Sequence, residues 1–136
     1  MQINPYLVFN GQCAEAFRFY ERVLGGRIDF MQTFGESPMA GETPPEWHGW
    51  VMHATLSVDG QRLMGSDSPP EHFEKPAGTS VSINVERASE GERIFDALAE
   101  GGTVKMPFQK TFWAAGFGMC VDRYGTPWMV NCEKGD

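Results

Sequence analysis

Three histidines, three cysteines and eight methionines carry most of the donor chemistry open to this chain of 136 residues. His53 lies in the alternating stretch VMHATLSV, where an imidazole can serve as a general base or orient a ligand. His48 and His72 fall in the proline-rich stretches PPEWHGW and SPPEHFEKP, where solvation at the surface is expected. Cys13, Cys120 and Cys132 are odd in number and lack the short paired spacings of zinc or redox motifs, so buried, unpaired thiols are expected. His53, Met64, Cys120 and Met129 together make a soft donor set suited to Cu(I), although adaptable Met side chains more often serve packing. Asp67 is either a hydrogen-bond acceptor at a cavity mouth or, the expected case, a turn residue at a strand end. Phe112 and Trp113, in KTFWAAGFG, offer planar stacking surfaces beside small residues, or else close a cavity's end as core. Trp47 and Trp50 flank a long loop and suggest a lid or an interface.

The elements that position these residues come from an internal duplication. FYERVLGGRIDF and FDALAEGGTVKM share an aromatic residue, a helical stretch, a Gly-Gly pair and an alternating run. Phe19, Gly25, Gly26 and Ile28 meet Phe95, Gly101, Gly102 and Val104 at an offset of 76, and Leu7 and Phe9 meet Ile83 and Val85 at the same offset. A second block aligns Val58-Asp59 with Val121-Asp122 at 63, then Gly60, Leu63 and Met64 with Gly125, Trp128 and Met129 at 65. The fall in offset places about thirteen extra residues in the first half, in GESPMAGETPPEWHGW, which reads as a long exposed loop. Each half is predicted to run strand, helix, strand and hairpin. The helices are expected over Ala14 to Leu24 and Glu90 to Glu100, each ended by Gly-Gly, with a type I′ turn at Asp59-Gly60. The result is a single α+β domain of two βαβββ modules, about 1–68 and 79–136, joined by a linker over about 69–78.

Alternation along strands sorts side chains into a helix-covered face and its opposite. Leu7, Phe9, Ala54, Leu56, Val58, Leu63, Ile83, Val85, Phe117, Met119, Val121, Trp128 and Val130 are expected in the core. Tyr6, Val8, His53, Thr55, Ser57, Met64, Ser66, Ser82, Asn84, Gly118, Cys120, Met129 and Asn131 are left for the other face. Two such faces enclosing a cavity would present apolar bodies with a few hydrogen-bonding groups, the mixture typical of small-molecule sites.

GQCAEAFRFYERVLGG, HATLSVDGQRLMGSD and TFWAAGFGMCVDRYGTPWMVN resemble the PhnB-like branch of the vicinal oxygen chelate superfamily, which includes glyoxalases, bleomycin-resistance proteins and extradiol dioxygenases. The resemblance covers nearly the whole chain and implies paired βαβββ modules forming a cupped mixed sheet around a cavity, commonly in a homodimer. Members of this branch often carry the label demethylubiquinone methyltransferase-like; the sequence has no Gly-rich strand-to-helix nucleotide fingerprint. In metal-using relatives a His on the first strand and a Glu on the last strand of each module chelate one divalent ion. Carried over, those slots fall at Pro5 or Tyr6, Met64, Val81 or Ser82, and Met129, none of which is a hard-metal ligand.

A net charge of −7 is the wrong sign for gripping phosphate backbones, so nucleic acid is not an expected partner. No apolar run approaches the roughly 18 residues a membrane span needs, and the start lacks signal-peptide features, so a cytoplasmic protein without membrane partners is expected. The reading is a metal-independent protein that binds a small organic ligand, with no cofactor. Tyr6, His53, Met64, Ser82, Trp113, Met129 and Asn131 are expected to line its pocket, with His53 the candidate for catalysis. The alternative is a superfamily enzyme of lyase, isomerase or dioxygenase type acting on a small oxygenated metabolite.

Overall fold

The computed structural model describes all 136 residues, Met1–Asp136, and its chain divides into two compact units, Met1–Glu74 and Lys75–Asp136. In the first, β1 (Tyr6–Phe9), α1 (Cys13–Leu24), β2 (Arg27–Thr33), β3 (Val51–Val58) and β4 (Gln61–Asp67) form a sheet in the order β1-β4-β3-β2. Strands β1 and β4 run parallel, and the other pairs antiparallel. The second unit repeats this with β5 (Val81–Asn84), α2 (Ala88–Ala99), β6 (Thr103–Gln109), β7 (Gly116–Val121) and β8 (Pro127–Cys132), in the order β5-β8-β7-β6. Two mixed four-stranded sheets, each carrying one helix, make the α+β duplication of βαβββ modules that the internal offsets predict.

The Gly-Gly pairs combine two requirements. Gly25 ends α1 in the left-handed conformation at φ 71°, and Gly101 takes φ 75° one residue beyond the α2 cap, Glu100. The second glycine of each pair lies against a strand end, where a Cβ on Gly26 would meet the Ser57 carbonyl and one on Gly102 the Val121 carbonyl. Asp59 and Gly60 both adopt positive φ, as the predicted type I′ turn demands. Helix α2 begins at Ala88 and ends at Ala99, earlier at both ends than Glu90 to Glu100.

Phe9, Phe17 and Tyr20 centre the first core, with Phe9 and Phe17 edge to face at 6.2 Å. Phe17 seats directly on Gly65 of β4, where any Cβ would collide with its ring. Asp67, at the end of the same strand, faces the helix side and is buried. Its Oδ1 accepts the N–H groups of Gly11 and Cys13, each at 2.9 Å, and its Oδ2 accepts that of Val51 at 2.9 Å. Gln12 provides no side-chain cap for α1, so a carboxylate from a distant strand satisfies the helix's first amide.

In the second unit the phase of β7 is opposite to the sequence expectation. Gly116, Gly118 and Cys120 face α2, while Phe117, Met119 and Val121 lie on the open side; the register pairs Cys120 with Trp128 and Met119 with Met129. The rings of Phe95 and Phe108 occupy the space that side chains on Gly118 and Gly116 would need, so a helix-facing glycine is the condition for that packing. Asp122 is the polar centre here. Its Oδ1 accepts from the Tyr124 and Thr126 N–H groups at 2.8 and 3.0 Å, and its Oδ2 from Trp128 Nε1 at 2.8 Å.

The loop after β2 is more ordered than its composition suggests. It holds two short 3-10 turns, Ala40–Glu42 and Pro45–Trp47. His48, expected at a solvated surface, is half-buried and donates from Nε2 to the Ala40 and Thr43 carbonyls at 3.0 and 2.9 Å. Trp47 and Trp50 stack at 6.3 Å, and Trp50 covers Gly11. The three cysteines are free and buried, as expected, and His72 is exposed.

Replacing Asp67 by Ala strands three amides and is expected to cost about 3 to 5 kcal/mol, lowering Tm by roughly 10 °C or more. Asp67→Asn, which keeps one acceptor, should cost about half as much. Thermal unfolding of both variants within about 1 °C of the parent would contradict this role. Burial, reinforced by the Asp122 carboxylate, pushes the Cys120 thiol from 9.0 up to about 11. The folded state thus prefers the neutral thiol. Its contribution is complete below pH 9 and falls as pH rises toward about 11. At pH 8, iodoacetamide should label Cys120 only on unfolding, and labelling of the folded chain at the rate of a free thiol would refute this.

Candidate functional site

Strand register places Tyr6 beside Met64, and Met64 beside Thr55, so these side chains share the open face of the first sheet with His53. The Tyr6 hydroxyl and His53 Nδ1 are 3.0 Å apart, and His53 Nε2 lies 3.3 Å from Thr55 Oγ1. The neutral imidazole fits this chain of contacts: Nδ1 accepts the phenolic hydrogen while Nε2–H donates to the threonine hydroxyl, or the tautomer and both directions reverse together. Tyr6 also stacks on the imidazole at 5.6 Å with 24° between the planes, and Phe30 approaches it at 6.0 Å. His53 is therefore held by two hydrogen-bonding neighbours and two aromatic rings in a half-buried position.

Thr55 was sorted to this face by alternation, but its role as a hydrogen-bond partner of His53 was not foreseen; the i, i+2 spacing on a strand is the signal that offers it. Phe30 reaches the imidazole because a bulge in β2 at Asp29 resets the phase of that strand. Ser57, also on the open face, is engaged by the Asp29 carboxylate. Hydrogen bonds from Ser57 and then Arg27 hold the Asp29 carboxyl below its usual range. Asp67, weighed as an acceptor at a cavity mouth, is turned to the helix side with three amides on its oxygens.

On the second sheet, Ser82 and Met129 stand side by side across the parallel pair β5 and β8, as do Asn84 and Asn131 two residues on. Asn131 Nδ2 donates to Asn84 Oδ1 at 3.3 Å, while Asn131 Oδ1 is buried without a hydrogen-bond partner. Trp113 belongs to a tight turn in which Thr111 Oγ1 accepts the Trp113 and Ala114 N–H groups. Its ring packs edge-on against Phe117 at 5.3 Å and is 47% exposed, and Phe112 is almost wholly exposed, so neither is core. Cys120 faces α2 and cannot join Met129 in a soft-metal set.

Of the slots that the resemblance implies, Pro5 or Tyr6, Met64, Val81 or Ser82, and Met129, Tyr6 with Met64 and Ser82 with Met129 are adjacent in each sheet. They offer a phenol, a hydroxyl and two thioethers, and this donor set does not fit a hard divalent ion. Nowhere do three His, Cys, Asp or Glu side chains gather in a group that could hold a metal ion.

Residues 1–131 match a family described as 3-demethylubiquinone-9 3-methyltransferase. The chain is 34% identical to Protein YjdN of Escherichia coli (strain K12), over 98% of this chain and 97% of that one. Among solved structures, PA1353 from Pseudomonas aeruginosa is 51% identical, covering 100% of this chain and 99% of its own with a TM-score of 0.91. A PhnB protein from Bacillus cereus is 28% identical with a TM-score of 0.82, covering 97% and 99%. The fold alone is shared, at 13% identity and a TM-score of 0.64 over 98% of both chains, with a glyoxylase/bleomycin resistance protein/dioxygenase domain from Frankia. The chain belongs to the family described as 3-demethylubiquinone-9 3-methyltransferase.

Proposed function

We propose that this protein binds a small, partly aromatic organic molecule without a metal ion, as a homodimer in the cytoplasm. Tyr6, His53, Met64, Ser82, Trp113, Met129 and Asn131 are its ligand contacts. The observation that carries the reading is the pairing of Tyr6 with Met64 and of Ser82 with Met129, because thioethers occupy positions where a chelating fold needs carboxylates. Thioethers and aromatic rings make adaptable apolar contacts, while His53, Ser82 and the unpaired Asn131 Oδ1 supply direction. The exposed Phe112, Trp113 and Met106 support association with a second copy. No helix is long and apolar enough to cross a membrane.

A second reading, acid–base catalysis at His53 on a small oxygenated metabolite, is favoured by the Tyr6, His53 and Thr55 contacts. A base needs an orienting partner on one ring nitrogen, and Thr55 or Tyr6 provides one. Turnover abolished by both His53→Ala and Tyr6→Phe would select this reading over binding alone.

Native mass spectrometry against planar aromatic and short oxygenated metabolites should find binders whose affinity falls about threefold to tenfold in His53→Ala, the worth of one lost hydrogen bond. Met129→Glu should weaken them further by placing a charge on an apolar contact. Binders indifferent to both substitutions would sink the site. Stoichiometric Zn, Ni, Mn or Fe surviving dialysis and lost in His53→Ala would sink the metal-independent part, and sedimentation at 15.2 kDa at high micromolar concentration would sink the dimer.

A further inference from the structure

The second unit contains a groove of about 680 Å³ on the open face of its sheet, bounded by the segment 75–80 and by strands β6, β7 and β8. Its floor is apolar. Met119 and Met129, partners in the β7–β8 register, line it together with Val121 and Pro127. Lys75 and Lys105 belong to the same lining, as do Thr79, Ser80 and Thr103.

Lys105 reaches the groove because of a break in the β6 ladder. Val104 pairs with Cys120 and Met106 with Met119, so the register shift leaves Lys105 as the extra, unpaired residue. The charge pattern is the reverse of the chain's own. Eighteen acidic residues outnumber eleven basic ones overall, yet this lining has two lysines and no carboxylate, and neither lysine makes an ion pair. Two unpaired ammonium groups beside hydroxyl donors and polarizable thioethers match a ligand with an anionic head and an apolar body. The lining has no arginine fork and no helix N-terminus, the features that commonly hold a phosphate dianion, so the single charge of a carboxylate is the better fit.

We infer that this groove binds organic monocarboxylates with an aromatic or branched apolar body, the head between Lys75 and Lys105 and the body on Met119 and Met129. The inference rests on the small-molecule-binding reading above and names the ligand class and the part of the fold that selects it.

Calorimetric titration of the full chain with 4-phenylbutyrate and with its uncharged amide, 4-phenylbutyramide, tests it. The acid should bind at least tenfold more tightly than the amide, and raising NaCl from 50 to 500 mM should weaken the acid alone. The double substitution of Lys75→Ala and Lys105→Ala, both at exposed positions, should remove that preference and leave amide binding within twofold of the parent. Equal binding of acid and amide, or an acid affinity unchanged in the double variant, overturns the carboxylate assignment while leaving small-molecule binding in place. Failure of both compounds to bind overturns the groove itself. An acid preference that depends on the lysines but is unchanged in His53→Ala supports the groove and counts against His53 as a contact.

Discussion

A carboxylate withdrawn from water has to be met by donors that stay in place, and Asp67 is met by three backbone amides from two separated parts of the first unit. Gly11 and Cys13 flank the start of α1, Val51 begins β3, and Asp67 itself ends β4. One side chain therefore fixes where the helix starts relative to two strands. The ordinary means of starting a helix, an Asx or Ser side chain at the N-cap, is absent because Gln12 occupies that position without capping. The arrangement also fixes the open face. With Asp67 and Gly65 locked toward the helix, Met64 and Ser66 are obliged to point the other way, and the register carries Tyr6 with them.

The second unit repeats the topology without repeating this device. At the offset that pairs Met64 with Met129, the counterpart of Asp67 is Cys132, whose thiol donates to the Lys134 carbonyl. The organising carboxylate moves instead to Asp122, in the β7–β8 turn, where it gathers two turn amides and the Trp128 indole. A buried carboxylate needs about three donors to be tolerable, and each copy of the module meets that condition at a different end of its hairpin. The Gly-Gly pairs were retained in both copies because two backbone constraints act there at once, a left-handed turn and a carbonyl in contact.

The duplication, the order of elements along each half and the Gly-Gly helix stops were legible because they depend on backbone requirements that only particular residues satisfy: glycines at positive φ, an Asp-Gly turn, and alternation along the strands. The β7 phase was not legible. GFGMCV reads as apolar at Phe117, Met119 and Val121 and small in between, so hydrophobicity assigned the large side chains to the core. In the folded unit the helix side is filled by Phe95 and Phe108, which leave room there for glycine, and the larger β7 side chains form an apolar open face. Bulk supplied by another element is invisible to periodicity along one strand. The same limit hid the hydrogen bonds of His48, which depend on how a proline-rich loop folds back on itself.

The positions on the open faces of the two sheets are thus the ones least constrained by the core. Helix-side residues answer to steric conditions so tight that a methyl group at Gly65 or Gly118 would collide with a ring. Open-face residues answer only to register, which fixes where a side chain stands and leaves its type free. A side chain on the open face can therefore change type without disturbing the fold, and the two open faces differ in their chemistry. The first holds an imidazole between a phenol and a threonine hydroxyl; the second has two methionines and two lysines in one groove lining. Identical topology with different chemistry is the expected product of duplication when the core governs one face of each sheet and ligand selection governs the other. It is also why the family's fold could be recognised from the chain while the ligand's character had to be argued from individual side chains.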